Sequence, residues 1–236
     1  MMQLFYTDLY IPGQKSLNLS MEETRHLWKV LRKRSGDRIE VTDGRGTRII
    51  GIIEGEQNRQ VKLEILEIEK IPFPPHNQLE IGLSIIRPNR LDWAVEKLTE
   101  LGVEKIVPLR FEFSSERSVK LEHLKRIAIS AIKQSHQYYL PEIHPPMMFA
   151  EWLQNPGSGD AVRYAAVPHT RGLWTNSLPE NKNNFCQLII GPEGGYHPNE
   201  INLMEQFPIT KLHLGPHILR TETAAVTGTA LIKSYW

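Results

Sequence analysis

The sequence is short of several things, and each shortage removes a class of protein. One cysteine, Cys186, stands among 236 residues. Neither a disulfide framework nor a multi-cysteine zinc site is therefore expected. Charge of one sign is missing too: 28 Lys and Arg face 27 Asp and Glu, a formal +1. That balance excludes a polybasic tail protein and confines any nucleic-acid binding to a local patch. No apolar run approaches the ~18 residues of a membrane span. The opening MMQLFYTDLYIPGQK has neither the basic region nor the long apolar stretch of a signal peptide. Hydrophobic content of 40% and charged content of 23% suit a soluble globular protein, and a cytoplasmic one without membrane contact is the expectation. At ~150 residues per domain the length gives one large domain or two modest ones.

Familiar catalytic signatures are missing as well. There is no phosphate-binding G-x-x-x-x-G-K-[ST] loop and no G-x-G-x-x-G opening a helix after a strand. No H-E-x-x-H occurs. His213 and His217 are four apart, but Gly215-Pro216 lies between them and forbids one continuous helical face. No metal site is expected. Gly157-Ser158-Gly159 lacks the spacing of a nucleophile elbow. Cys186 opens an apolar strand, where a buried, inert thiol is the expectation.

What is there divides at Ile71-Pro72-Phe73-Pro74-Pro75-His76, a proline cluster that no central strand accommodates. Before it, residues 25–38 hold six basic side chains against Asp37 alone, a local +5, and the compensating acids lie downstream at Glu54, Glu56, Glu64, Glu67 and Glu69. Ser20 and Glu23 have capping-box spacing, and His26 or Leu27, Val30 and Leu31 make an apolar stripe ended by Gly36. The basic stretch is thus predicted to be a helix. Strands are predicted at 38–43, 47–54 and 60–69, with Asp43-Gly44-Arg45-Gly46 as a hairpin turn. On the third strand Val61, Leu63, Ile65 and Leu66 or Ile68 are available for one face. After the prolines, strands at 79–86, 103–109, 161–167, 185–190 and 210–214 alternate with helices at 91–101, 121–137, 148–153, 198–206 and 222–235. Loops fall at 155–160 and 179–184. That alternation predicts a parallel α/β sheet covered on both faces.

Two C-terminal segments carry chemistry. Ile189-Ile190-Gly191-Pro192-Glu193-Gly194-Gly195 runs a buried strand into a glycine turn, where backbone can approach a ligand closely beyond a strand's carboxyl end, or simply turn. Leu212 to Ala225 (LHLGPHILRTETAA) leaves a strand at Gly215 and opens a helix near Thr221, a residue type that caps helices. Arg220 is the odd residue. A cation at a helix's positive end is unfavourable by ~0.3–1 kcal/mol, so it binds an anion or a developing negative charge, or else pairs with Glu222 or Glu193.

GPEGG followed by LGPHILRTETA, with ELGV at 100–103, SERSV at 115–119, the early His26, Val30, Leu31, Arg32 pattern, and Gln134-Ser135 with Pro141, resembles the RsmE family of SPOUT-class RNA methyltransferases over nearly the whole chain. The resemblance implies an α/β SPOUT-type trefoil-knot methyltransferase domain over 76–236, preceded by a small PUA-like β-barrel RNA-binding domain over 1–72. It also implies S-adenosylmethionine-dependent methylation of uridine N3 in 16S ribosomal RNA of the small subunit, by a homodimer. A methyltransferase acting on another RNA such as tRNA, or a non-catalytic RNA-binding assembly factor, stands as the alternative. The family pattern E-A-x-E-Q-S-x-R is departed from at Ser130, Lys133 and Gln137.

On this reading the cofactor lies against Val167, Pro168, Ile190, Gly191, Pro192, Glu193, Gly194, Gly195, Leu214, Gly215, Ile218 and Leu219, although leucines of this kind also pack ordinary cores. Removing the N3 proton spreads negative charge over the uracil oxygens, which a guanidinium fork suits. Arg220 is the candidate stabiliser. Glu222 or Glu193 accepts the proton or holds structure. Arg25, Lys29, Arg32, Lys33 and Arg34 contact phosphate or form a solvated helix face.

Overall fold

Turn chemistry and alternation decide the first half. As a computed structural model, the structure describes residues 2–73, 78–116, 118–154, 161–167 and 185–234. It divides into two compact units, Met1–Phe73 with Ile129–Leu140, and Pro74–Ala128 with Pro141–Trp236. The inclusion of 129–140 in the first unit is not signalled by the proline cluster.

The first unit has five strands: β1 (Leu4–Tyr6), β2 (Ser16–Asn18), β3 (Arg38–Thr42), β4 (Thr47–Gln57) and β5 (Gln60–Lys70). They follow the order β1-β3-β4-β5-β2, with β1 parallel to β3 and the other pairs antiparallel. Asp43 sets the β3–β4 turn: its carboxylate accepts from the Arg45 amide (2.8 Å), the Thr47 amide (3.1 Å) and the Thr47 hydroxyl (2.7 Å). Gly46 has φ +84°, and a Cβ there would fall 2.2 Å from the Tyr139 hydroxyl, so only glycine fits. Phe5, Leu17, Ile39, Val41, Ile49, Ile53, Val61 and Leu63 bring all five strands into one core with Leu27. On β5 the register shifts between Ile50 and Gly51 of its partner. Leu66 is thereby left unpaired, and both Leu66 and Ile68 are exposed.

The basic stretch is not one helix. Helix α1 covers only Met21–Arg25, a π turn follows over His26–Val30, and Arg32 takes a left-handed φ of +51°. Ser20 accepts from the Glu23 amide (3.2 Å), but the reciprocal half of the capping box is absent. The Glu23 carboxylate is instead taken by Lys133, at 2.6 Å and largely buried. Wider winding in the π turn keeps Leu27 inside and turns Val30 out, so Val30 leaves the expected apolar stripe. Lys133, one of the residues departing from the family pattern, thus has its own partner. Among the other two, Gln137 donates to the Ser135 hydroxyl at 3.1 Å.

The second unit carries β6 (Leu79–Ser84), β7 (Lys105–Arg110), β8 (Glu142–Ile143), β9 (Met147–Met148), β10 (Val162–Ala166), β11 (Cys186–Ile190) and β12 (Ile209–Leu212). The order is β12-β10-β11-β6-β7-β8, with β9 also on β7, and the pairs are parallel. Helices α2 (Pro88–Glu100), α4 (Phe149–Gln154), α5 (Pro198–Met204) and α6 (Thr221–Ser234) alternate with them, and α3 (Leu121–Ser135) begins in this unit and ends in the first. Ala165, Ile189 and Val107 face α4 and α5 through Phe149, Trp152 and Met204. Leu188 points the other way, against Gly228 of α6, which packs on α2. The sheet is therefore covered on both faces, and among the described residues no helix is long and apolar enough to cross a membrane.

Near the strands' amino ends one polar row crosses four strands. Arg163, Gln187, Glu80 and Lys105 stand in direct register. Glu80 accepts from Trp152 Nε1 (2.6 Å) and Gln187 Nε2 (3.0 Å) and pairs with Lys105 (3.0 Å); Gln187 accepts from Arg163 Nε (2.9 Å). Residues 168–184, the loops predicted at 155–160 and 179–184, and the prolines at 74–75 lie outside the described residues.

Candidate active site

Strands β10, β11 and β12 end at the same level, because Ala166 pairs in register with both Ile190 and Leu212. Beyond the carboxyl ends of β11 and β12 the chain breaks from the ladder. Pro192 cannot extend β11, and the Gly195 amide closes a turn onto the Pro192 carbonyl at 2.9 Å, with Gly195 at φ +79°. Tyr196 then folds back so that its hydroxyl donates to the Ala166 carbonyl at 3.2 Å. A Cβ on Gly191 would sit 2.7 Å from the Tyr196 ring, so glycine at that position is what lets the ring close the turn. Burial pushes the Tyr196 hydroxyl pKa well up, so it stays a donor. Phe111 meets the same ring edge-on at 5.7 Å.

These turns enclose a cavity of about 440 Å³. Of the expected cofactor residues, Val167, Ile190, Gly191, Pro192, Glu193, Gly194, Gly195, Leu214, Gly215, Ile218 and Leu219 line it. Pro168 lies outside the described residues. Ala166, Tyr196, Ile201, Leu212, His213, His217, Thr221 and Ala224 also line it and were not anticipated. The strand-end rule points to Ala166 and Leu212; nothing in the spacing marks Tyr196 or Ile201.

Thr221 does not cap its own helix. It is the first residue of α6, buried, and its hydroxyl donates to the Gly191 carbonyl at 3.1 Å, tying the helix start to the glycine turn. Arg220 sits between two lining residues, its carbonyl accepting from the Ala224 amide at 2.8 Å and its side chain exposed. Among the described residues no carboxylate pairs with it. Glu193 and Glu222, its two candidate partners, are both taken by Arg90 of α2. Arg90 contacts Glu193 directly through Nη1 and stands 3.7 Å from Glu222 Oε1 through Nε. Glu222 is buried, outside the cavity lining, and its Oε2 has no hydrogen-bond partner among the described residues.

In the first unit Arg25, Lys29, Arg32 and Arg34 are exposed and Lys33 half-buried. They occupy a short helix, a π turn and a loop rather than one helical face. The β4–β5 turn adds Arg59, also exposed and left-handed at φ +63°. It lies outside the basic run of residues 25–38.

Comparison with known proteins gives two family matches. An RNA methyltransferase domain covers 74–233 and an RNA methyltransferase PUA domain covers 19–66. Proteins named ribosomal RNA small subunit methyltransferase E are similar along the chain. That of Buchnera aphidicola is 28% identical, over 96% of this chain and 92% of its own length. That of Rickettsia conorii is 29% identical, over 97% and 95%. Among solved structures, a Legionella pneumophila protein in complex with the bound cofactor SAM superposes with a TM-score of 0.87 at 27% identity, over 99% of this chain and 98% of its own. The small subunit methyltransferase E of Neisseria gonorrhoeae bound to S-adenosyl methionine gives 0.83 at 25% identity, over 100% and 98%.

Proposed function

This chain belongs to the RNA methyltransferase family, and on that premise we propose that it methylates uridine N3 of 16S ribosomal RNA with S-adenosylmethionine. The carrying observation is the cavity beyond β10, β11 and β12, with Arg220 exposed at its edge. Its size is that of an ordinary small-molecule site. Apolar walls from Val167, Ile190, Leu214, Ile218 and Leu219 fit an adenine ring, and the open glycine turn gives polar edges a backbone to bond. S-adenosylmethionine, when bound, supplies an electrophilic methyl group.

The chain's own residues supply the rest. Thr221 fixes the start of α6 against Gly191, which holds Arg220 at the cavity edge. Its guanidinium, unpaired among the described residues, stabilises the negative charge on the uracil oxygens as the N3 proton leaves. Glu222 stands behind the wall, against Arg90, so it supports the helix start and the proton departs to water at the exposed rim. Arg25, Lys29, Arg32, Lys33 and Arg34 bind phosphate, which gives affinity and position without sequence readout. The base must leave its stack to reach the cavity. The homodimer, the trefoil knot and a cytoplasmic location alongside ribosomes go with the same family reading.

Mass spectrometry of small subunits incubated with protein and S-adenosylmethionine tests this. N3-methyluridine in 16S RNA is the expected product. A methylated tRNA with unmodified 16S RNA, or no methylated base with any RNA, overturns it.

A further inference from the structure

We infer that Arg90 is a positioning residue that clamps the glycine turn to the first turn of α6. The inference rests on the methyltransferase reading for its catalytic consequence. Arg90 lies in the first turn of α2, where a cation is unfavourable for the helix itself. Two carboxylates from distant parts of the chain offset that cost. Glu193 belongs to the turn that lines the cavity, and Glu222 to the first turn of α6, two residues after Arg220. Arg90 is not among the cavity-lining residues, so it acts through the segments it holds.

The chemistry requires a guanidinium. Its fork presents separate N–H groups in fixed directions, so Nη1 serves Glu193 while Nε faces Glu222. Without it both carboxylates lose the cation they share, and Glu222 is buried with an oxygen that has no partner among the described residues. Repulsion and desolvation then push the turn and the helix start apart, against the Thr221 hydrogen bond to Gly191. Lysine, a point charge, holds one carboxylate at a time.

The test is a double-mutant cycle with two readouts. Arg90→Ala is expected to lower kcat/KM for S-adenosylmethionine by ~100-fold, the scale of a misplacement near 1 Å. Glu222→Gln in that background, which neutralises the buried partner, recovers about tenfold of the loss. Hydrogen exchange at the Gly194, Gly195 and Ala224 amides, free of ligand, speeds about tenfold in Arg90→Ala. Unchanged exchange together with unchanged kcat/KM overturns the clamp; so does a loss that Glu222→Gln leaves untouched. Faster exchange in a protein whose wild type binds no S-adenosylmethionine in calorimetry keeps the clamp and overturns the methyltransferase reading instead. Should Arg90→Ala not fold, Arg90→Lys and the exposed Glu193→Gln carry the test. Both raise KM for S-adenosylmethionine, and wild-type KM in both overturns the inference.

Discussion

At the amino ends of the parallel strands, buried Arg163, Gln187 and Glu80 and half-buried Lys105 form a row in which both oxygens of Glu80 are partnered. At the carboxyl ends, among the described residues, Arg220 stands exposed without a carboxylate and Glu222 keeps a buried oxygen without a donor. The same residue types do opposite things at the two ends of the sheet. Burial explains the difference. Glu80 can be tolerated inside only because three donors replace the water it gave up, so the row is fixed and has nothing left to offer a ligand. Arg220 remains hydrated, and its bonding capacity is kept for a partner that arrives later. Arg163 shows the cost of the first arrangement: burial lowers its pKa from the ordinary value even beside Glu80.

Breaking the amino row should affect stability alone. Glu80→Ala strands the Trp152 and Gln187 donors and the Lys105 ammonium, and is expected to cost ~3–5 kcal/mol in urea unfolding. The dissociation constant for S-adenosylmethionine, measured where the variant is folded, should stay at the wild-type value. A large change in affinity would erase the division of labour between the two ends. Arg220→Ala is the mirror experiment. It should lower kcat by about 10²–10³ at saturating RNA and cofactor while leaving the melting temperature unchanged. Turnover that survives would remove Arg220 from the mechanism. Gly191→Ala lies between these limits. Its Cβ would collide with the Tyr196 ring, so cofactor affinity should drop about tenfold and stability by ~1–3 kcal/mol, seen in calorimetry and unfolding respectively.

How much of this was legible depended on the range of the interaction involved. Apart from the two-residue strands β8 and β9, the second unit's elements follow from local signals: β11 is a short apolar run closed by Gly191-Pro192, and α2 starts at Pro88 and ends before Gly102, at φ +72°. The cavity lining was legible because both glycine-bearing segments follow strands whose carboxyl ends share one register. Three-residue strands such as β1 and β2 are too short to show a period, and both were missed. The basic helix failed for a long-range reason. Ser20 signalled the start correctly, but Glu23 is bound by Lys133, 110 positions away, and the chain unwinds into a π turn after Arg25. Arg90 was invisible in the same way: its partner Glu193 is 103 residues distant, and no spacing rule marks such a pair.

Cys186 sharpens the comparison at the smallest scale, because it begins β11 beside Gln187, at the satisfied end. Its thiol is fully buried, and burial pushes its pKa up to about 11 from 9.0, against a lowering contribution from Lys233. The folded state therefore holds the proton in a range where the unfolded chain releases it. Stability from this source is complete below pH 9.0 and is lost as pH rises towards 11. By pH 10 the loss is about 1 kcal/mol. Comparing Cys186→Ala with wild type in urea between pH 8 and 10 isolates it, since other alkaline titrations are common to both proteins. Wild type should lose that much more than the variant across the interval, with the native thiol unlabelled by alkylating reagents throughout. A difference that stays flat with pH, or a thiol that labels readily in the native protein, would mean that the amino end is open to water and that the two ends of the sheet are less distinct than their bonding suggests.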